Sequence, residues 1–193
     1  MSTQAVSPSV SDPQLLVAST ISQWFAVATV AKHEKAIARQ FELRSIEHFL
    51  PLYSAIRQWK DRRVTLQLPL FSGYIFVRIP AVEKGNVERV PGVLRIIGFN
   101  GALVALAEEE IDRVRQAVAL WNAEPCAYLA KGKRVRVLSG PLEGVEGIVL
   151  HRKGKLRIVI SVDSIMRSFN LEIDASTVQL EPVRGTRWKG VRS

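Results

Sequence analysis

The residues whose side chains could carry chemistry are few and dispersed. His33-Glu34-Lys35 sets an imidazole, a carboxylate and an amine side by side, the ingredients of acid–base catalysis. They fall where a helix begins, and an acid in that turn meets the helix dipole favourably, so a structural or contact role outweighs catalysis. His48 and His151 have no ligand-like neighbours. Cys126 is the one cysteine, which leaves no internal disulfide and no multi-cysteine zinc site. No histidine or basic pair lies beside it to activate the thiol as a nucleophile. Gly140, Gly144 and Gly147 have the look of a phosphate-cradling loop, yet no Gly-Lys-Ser/Thr and no helix pattern follows. A tight turn between two strands is the better account. No catalytic residue, metal centre or cofactor is expected, and the chain does not read as an enzyme.

Binding chemistry is better represented. Arg57, Lys60, Arg62 and Arg63 surround Trp59. Such a cluster can neutralise nucleic-acid phosphates while the indole stacks on an unpaired base. The plainer alternative is a solvated hairpin with a packed tryptophan. Phe71 and Tyr74 bracket Ser72-Gly73 and are either partner-binding aromatics or core residues. Ile165 and Met166, followed by Arg167, fall in a turn expected to be exposed, where two apolar side chains point to a contact. The alternative is that one of them caps a core.

The elements that would position these groups follow from periodicity. Residues 1–21 are rich in Ser, Pro, Thr and Val without a period and read as a flexible arm. Trp24–Thr29 reads as a strand, and Ala36, Ile37 and Phe41 recur at helical spacing within a helix over 32–44. Residues 55–68 alternate charge with β-formers around Lys60-Asp61, the expected turn of a hairpin. Tyr74–Ile79 is the strongest strand pattern, with Gly73 permitting a bend before it. A short helix over 82–90 ends at Pro91-Gly92, a strand follows over Val93–Ile97, and Glu108-Glu109-Glu110 opens a helix through Leu120. Ile111, Val114, Val118 and Trp121 mark its apolar face. After a linker at 122–129, five short strands recur about every ten residues, the pattern of a small barrel. The fold class is therefore α+β: a domain at 22–121, the linker, a barrel at 130–183 and a basic tail at 184–193.

The net charge of +9 is concentrated at 57–63, 131–136, 152–157 and in the tail, and such clusters favour a polyanion or an acidic protein surface. No apolar run approaches the ~18 residues of a membrane span. The first twenty residues hold no Lys or Arg, so no secretory signal is recognised. A cytoplasmic monomer is expected.

Two signatures then coincide. The first is Pro69-Leu70-Phe71-Ser72-Gly73-Tyr74-Ile75-Phe76-Val77-Arg78, preceded by Trp24-Phe25-Ala26-Val27 and His33-Glu34-Lys35 and followed by Val90-Pro91-Gly92-Val93 and Gly98. It resembles the NGN domain of NusG-family transcription elongation factors, an antiparallel sheet flanked by helices. The second is Gly132, Val135-Arg136-Val137 and Gly140-Pro141-Leu142-Glu143-Gly144-Val145-Glu146-Gly147-Ile148-Val149. It resembles a KOW motif, which implies a five-stranded SH3-like barrel. Phe49-Leu50-Pro51-Leu52-Tyr53 and the basic stretch 57–63 are similar to specialised paralogues of the UpxY, RfaH and LoaP kind. Ser72 stands where the family usually has Pro, and Leu142 where the barrel motif often has an aromatic.

The resemblance implies a non-enzymatic elongation or antitermination factor for specific operons. Phe71 and Tyr74, with His33 and Glu34 nearby, would face RNA polymerase, at the β′ clamp helices and the β subunit. Arg57, Trp59, Lys60, Arg62 and Arg63 would lie near non-template DNA. Ile165, Met166 and Arg167 would meet a barrel partner, the ribosomal protein NusE or the termination factor Rho. A general NusG-type factor, or a KOW-type RNA-binding or ribosome-associated protein, is the alternative. The barrel's β-branched runs, with Pro141 and three glycines, argue against an RfaH-like helical hairpin. The reading expects a β-barrel with the groove beside Phe71 left open.

Overall fold

The computed structural model describes residues 20–120, 123–126, 134–139, 143–152, 155–173 and 180–182. The chain enters on β1 (Ser22–Thr29), turns through Val30–His33 into helix α1 (Glu34–Leu43), and returns on the short β2 (Glu47–Phe49). The hairpin β3 (Leu52–Trp59) and β4 (Arg62–Pro69) turns at Lys60-Asp61, as its sequence pattern requires. Strand β5 (Tyr74–Pro80) leads through a tight turn of helix at Ala81–Glu83 into α2 (Lys84–Glu88). Then come β6 (Val93–Ile96), the small β7 (Gly98–Phe99) and β8 (Ala102–Leu103) hairpin, β9 (Ala105–Leu106) and helix α3 (Glu108–Leu120).

The main sheet has the order β2-β5-β1-β6, all antiparallel, with β9 also paired to β1. Strands β1 and β5 lie at its centre and are apolar on both faces. This is why Tyr74-Ile75-Phe76-Val77 runs without a polar residue. Because side chains alternate along a strand, Phe25, Val27, Ile75, Val77 and Ile79 face one layer, with Ile37 and Phe41 of α1 and Val87 of α2. Trp24, Ala26, Tyr74 and Phe76 face the other, with Ile111, Val114 and Ala117 of α3. Trp121, expected on that helix face, lies outside the described residues.

Strands β10 (Glu124–Cys126), β11 (Arg134–Val137), β12 (Glu146–Arg152), β13 (Lys155–Val162), β14 (Arg167–Ile173) and β15 (Leu180–Pro182) make a second antiparallel sheet. Its order is β10-β14-β13-β12-β11-β15. Four of the expected strands, at 135–138, 147–150, 156–162 and 169–173, are β11 to β14; the fifth, expected over 177–180, lies outside the described residues except for Leu180, where β15 begins. The sixth, β10, comes from the segment expected as a linker, and it adds to the β14 edge. The Gly140–Leu142 turn and the basic tail fall outside the described residues. No helix among the described residues is long and apolar enough to cross a membrane.

The two sheets share one apolar cluster. It runs from Trp24, Leu70, Phe71 and Phe76 into Val162, Ile165, Phe169 and Leu171 of the barrel. The barrel and α3 together therefore cover the face of the main sheet that α1 and α2 leave open.

Candidate functional site

Phe71 lies in the turn between β4 and β5 and is 1% exposed. Its ring meets Phe76 edge-on at 5.9 Å and Phe169 of β14 in a tilted contact at 5.8 Å. Tyr74 is half-buried, with the Arg167 guanidinium 5.5 Å from its ring centroid. The expected exposed turn at Ile165 and Met166 divides. Ile165 is buried in the shared cluster, whereas Met166, in left-handed backbone at φ 48°, is 61% exposed. Sequence reasoning gave Phe71 and Tyr74 to one partner and Ile165, Met166 and Arg167 to another. The structure brings the two sets against each other. The groove expected to stand open beside Phe71 is covered by the barrel. The cause is apolar burial: two aromatic rings leave water together and meet in the tilted geometry their quadrupoles favour. Phe169 was missed because nothing in Arg167-Ser168-Phe169 distinguishes an inter-domain ring from one in the barrel core.

The turn that presents Phe71 is held from behind. Gly73 adopts φ 81°, and its N–H donates to Glu34 Oε1 at 2.7 Å. Glu34 is 1% exposed, so its carboxylate is committed to this turn and not available to a partner. His33 is exposed at the helix start and makes no capping bond with its side chain. The Thr29 N–H donates to the Gly73 carbonyl at 2.8 Å and closes the bend from the other strand.

The β3–β4 hairpin is a two-stranded sheet of its own. Its register sets Trp59 opposite Arg62 and Arg57 opposite Val64, so Arg57, Trp59 and Arg62 share one face. Gln58 and Arg63 oppose each other on the second face, beside Ile56. Arg57, Lys60, Arg62 and Arg63 are all exposed, and Trp59 is 58% exposed. The packed tryptophan of the plainer reading is therefore not what the hairpin holds. Around its tip, Trp59, Lys60, Asp61 and Arg62 line an open hollow. The arrangement offers one aromatic platform with Arg57 and Arg62 on its face and Lys60 at the turn, which suits a base and its neighbouring phosphates.

On the far side of the covered face, Trp24 Nε1 donates to Glu108 Oε1 at 3.0 Å. Arg115 lies over both Trp24 and Phe49, at 5.0 and 5.4 Å from the ring centroids. Two residues after Glu108, Glu110 has its carboxyl pushed above the usual carboxylate range. Burial is the main cause; Asp163 of the barrel adds to it and Arg113 opposes it. A carboxyl raised in the native state favours that state at low pH and disfavours it once ionised. The contribution of Glu110 to folded stability should therefore rise as pH falls from neutral through the raised value, and be complete below the ordinary one. Glu110→Gln should raise the melting temperature at pH 7 and flatten this acid-side gain, as thermal melts from pH 7 downward would show. The same slope in the variant would remove Glu110 from the account.

Residues 22–115, which include the β1–β5–β6 sheet and most of α3, match the family model described as "Transcription termination factor nusG". This stretch, 94 of the chain's 193 residues, is NusG-like. Similar chains include the "Transcription termination/antitermination protein NusG" of Rickettsia bellii (strain RML369-C), 22% identical over 169 residues, which span 81% of this chain and 89% of the relative. The protein of that name from Pseudomonas aeruginosa is 23% identical over 173 residues, 81% of this chain and 97% of its own. The solved structure titled "Domain interaction in Thermotoga maritima NusG" has a TM-score of 0.54 at 19% identity and covers 83% of this chain and 98% of that one. Such a likeness speaks to fold, and the fold is the NGN-type α+β domain followed by a small β domain. The matched proteins carry the name of NusG itself, and no match here favours the specialised UpxY, RfaH or LoaP kind.

Proposed function

We propose that this chain is a NusG-type elongation and antitermination factor whose NGN domain engages RNA polymerase through the Phe71–Tyr74 face, and that the barrel covers this face until polymerase is met. The observation that carries the reading is the seating of Phe169 and Arg167 on Phe71 and Tyr74 within a NusG-like domain. A face built from two aromatics and covered by a basic barrel suits exchange with an amphipathic helix such as the β′ clamp helices. The β3–β4 hairpin would reach non-template DNA or the β subunit beside it. The barrel, once released, would be free for a second partner, NusE or Rho, with Met166 at its exposed turn. By population-shift logic, polymerase need only bind the open form better than the closed one.

Binding of the full chain to core polymerase tests this. Arg167→Glu should bind several-fold tighter, because it weakens the cover without touching either core. Tyr74→Ala, checked for fold by circular dichroism, should lose about 1–3 kcal/mol if the ring is an anchor. Undiminished binding by folded Tyr74→Ala would reject the docking face. The relatives' names favour a general factor, and the hairpin a factor for particular operons. Transcript profiles after deletion separate the two, with many operons changed in the first case and one long cluster in the second.

A further inference from the structure

Strand β10 joins the two sheets in an unusual way. It opposes β14 in the register Glu124↔Asn170, Pro125↔Phe169 and Cys126↔Ser168. Phe169 is the ring that meets Phe71, so the residue across from the inter-domain contact belongs to the connecting segment itself. Pro125 also lines a groove of about 380 Å³ with Tyr53, Leu68, Leu70, Lys32 and Lys35 of the NGN domain. One three-residue strand thus touches both halves of the molecule.

The β14 edge is furnished for a strand. Asn170 is 8% exposed, donates from Nδ2 to the Glu124 carbonyl at 3.3 Å, and accepts from Arg157 Nη1 at 3.1 Å. Arg157 lies 3.6 Å from the Glu124 carboxylate and 3.2 Å from Glu172. Without β10 the Asn170 amide would lose an acceptor at a site where an unmatched donor is costly. Yet β10 is a poor occupant. It has three residues, and Pro125 has no N–H to give to a ladder, which confines such residues to sheet edges.

We infer that the β14 edge is an acceptor for an extended protein segment, that Glu124–Cys126 fills it in cis, and that a partner strand displaces it and thereby loosens the barrel from the Phe71 face. The partner segment would carry an acid to meet Arg157, then a small or β-branched residue opposite Phe169 in place of proline. Main-chain bonds supply the affinity in this mode of recognition, and alternate side chains supply the choice. The inference rests on the closed arrangement of the two domains and uses no property of polymerase.

The chain's one thiol reports on the strand. Cys126 is half-buried, and its thiol is pushed up mainly by burial, so a maleimide should label it slowly. Glu124→Arg, which sets like charge against Arg157, should raise the labelling rate of the full chain about ten-fold if the strand opens more often. A synthetic Ala-Glu-Val-Ser-Ala peptide in excess should do the same to the unaltered chain and shift the amide resonances of Ser168–Asn170. The same peptide with Lys for Glu should do neither. In both cases the nuclear Overhauser contact between the Phe71 and Phe169 rings should weaken. Unchanged labelling and ring contact in a folded Glu124→Arg chain, or equal effects from both peptides, would overturn the inference. Since no readout involves polymerase, faster labelling without tighter polymerase binding would uphold the strand exchange and reject the docking face.

Discussion

Phe71→Ala should lower the stability of the chain by about 3–5 kcal/mol, the range for truncating a fully buried aromatic. Two contacts disappear together. The edge-on pair with Phe76 ties the turn to the main sheet, and the tilted pair with Phe169 ties the barrel to it. The first loss acts on the fold and the second on the arrangement of the two domains. Urea unfolding followed by circular dichroism would measure the first. The chemical shifts of Phe169 would report the second, moving towards those of a ring in water. Tyr74→Ala should cost far less, because Tyr74 is only half-buried. A loss below about 1 kcal/mol for Phe71→Ala would mean that this ring does not join the two domains. The contrast also guides any binding experiment: reduced polymerase affinity in Phe71→Ala reports lost structure before it reports a lost anchor.

Gly147→Ala should also destabilise the molecule, from within the barrel. Gly147 lies in β12 between β11 and β13, opposite Val135. A Cβ there would run into Cγ2 of Ile158 and come within 2.7 Å of the Val159 carbonyl oxygen. The methyl on Ile158 can turn aside, but the carbonyl is part of the strand backbone and moves only with the strand. Overpacking of this kind costs about 1–3 kcal/mol, and a small barrel has little surplus stability to absorb it. Scanning calorimetry should show the barrel's transition at a lower temperature, with the NGN domain little changed once uncoupled. Labelling of Cys126 should quicken at the same time, since β10 depends on an ordered β14. Melting like that of the unaltered chain would show that β12 and β13 are not this close.

Most elements were legible because their residues answer to local rules. Lys60-Asp61 between two runs of β-formers gave the hairpin turn to the residue. Ile111, Val114 and Val118 at helical spacing gave α3 and its buried side. Glu34 was harder. An acid at a helix start usually signals the dipole, and only the fold shows that this one turns inward to hold a glycine 39 positions away. The barrel strands were visible in their β-branched runs, but β10 was not. Ala123-Glu124-Pro125-Cys126 has no alternation, contains a proline, and becomes a strand only because β14 offers an edge. The covered aromatic face escaped for the same reason. Whether Phe71 meets solvent, a helix or Phe169 is decided by residues nearly a hundred positions further on.

The β3–β4 hairpin has a consequence for how such a molecule can diversify. Tyr53 packs against the shared cluster at the root of the arm, but neither apolar cluster takes a residue from 56–65. Ile56 and Trp59 at the outer end spend their surface on water. Replacements there disturb only the pairing of one strand with the other, so the tip can be rewritten at little cost to the body that carries it. Grafting a different run of cations and aromatics onto the same register should therefore leave melting behaviour unchanged and, on the nucleic-acid role proposed for the arm, alter only its preference, a division of labour in which the sheet would supply the grip and the arm the address.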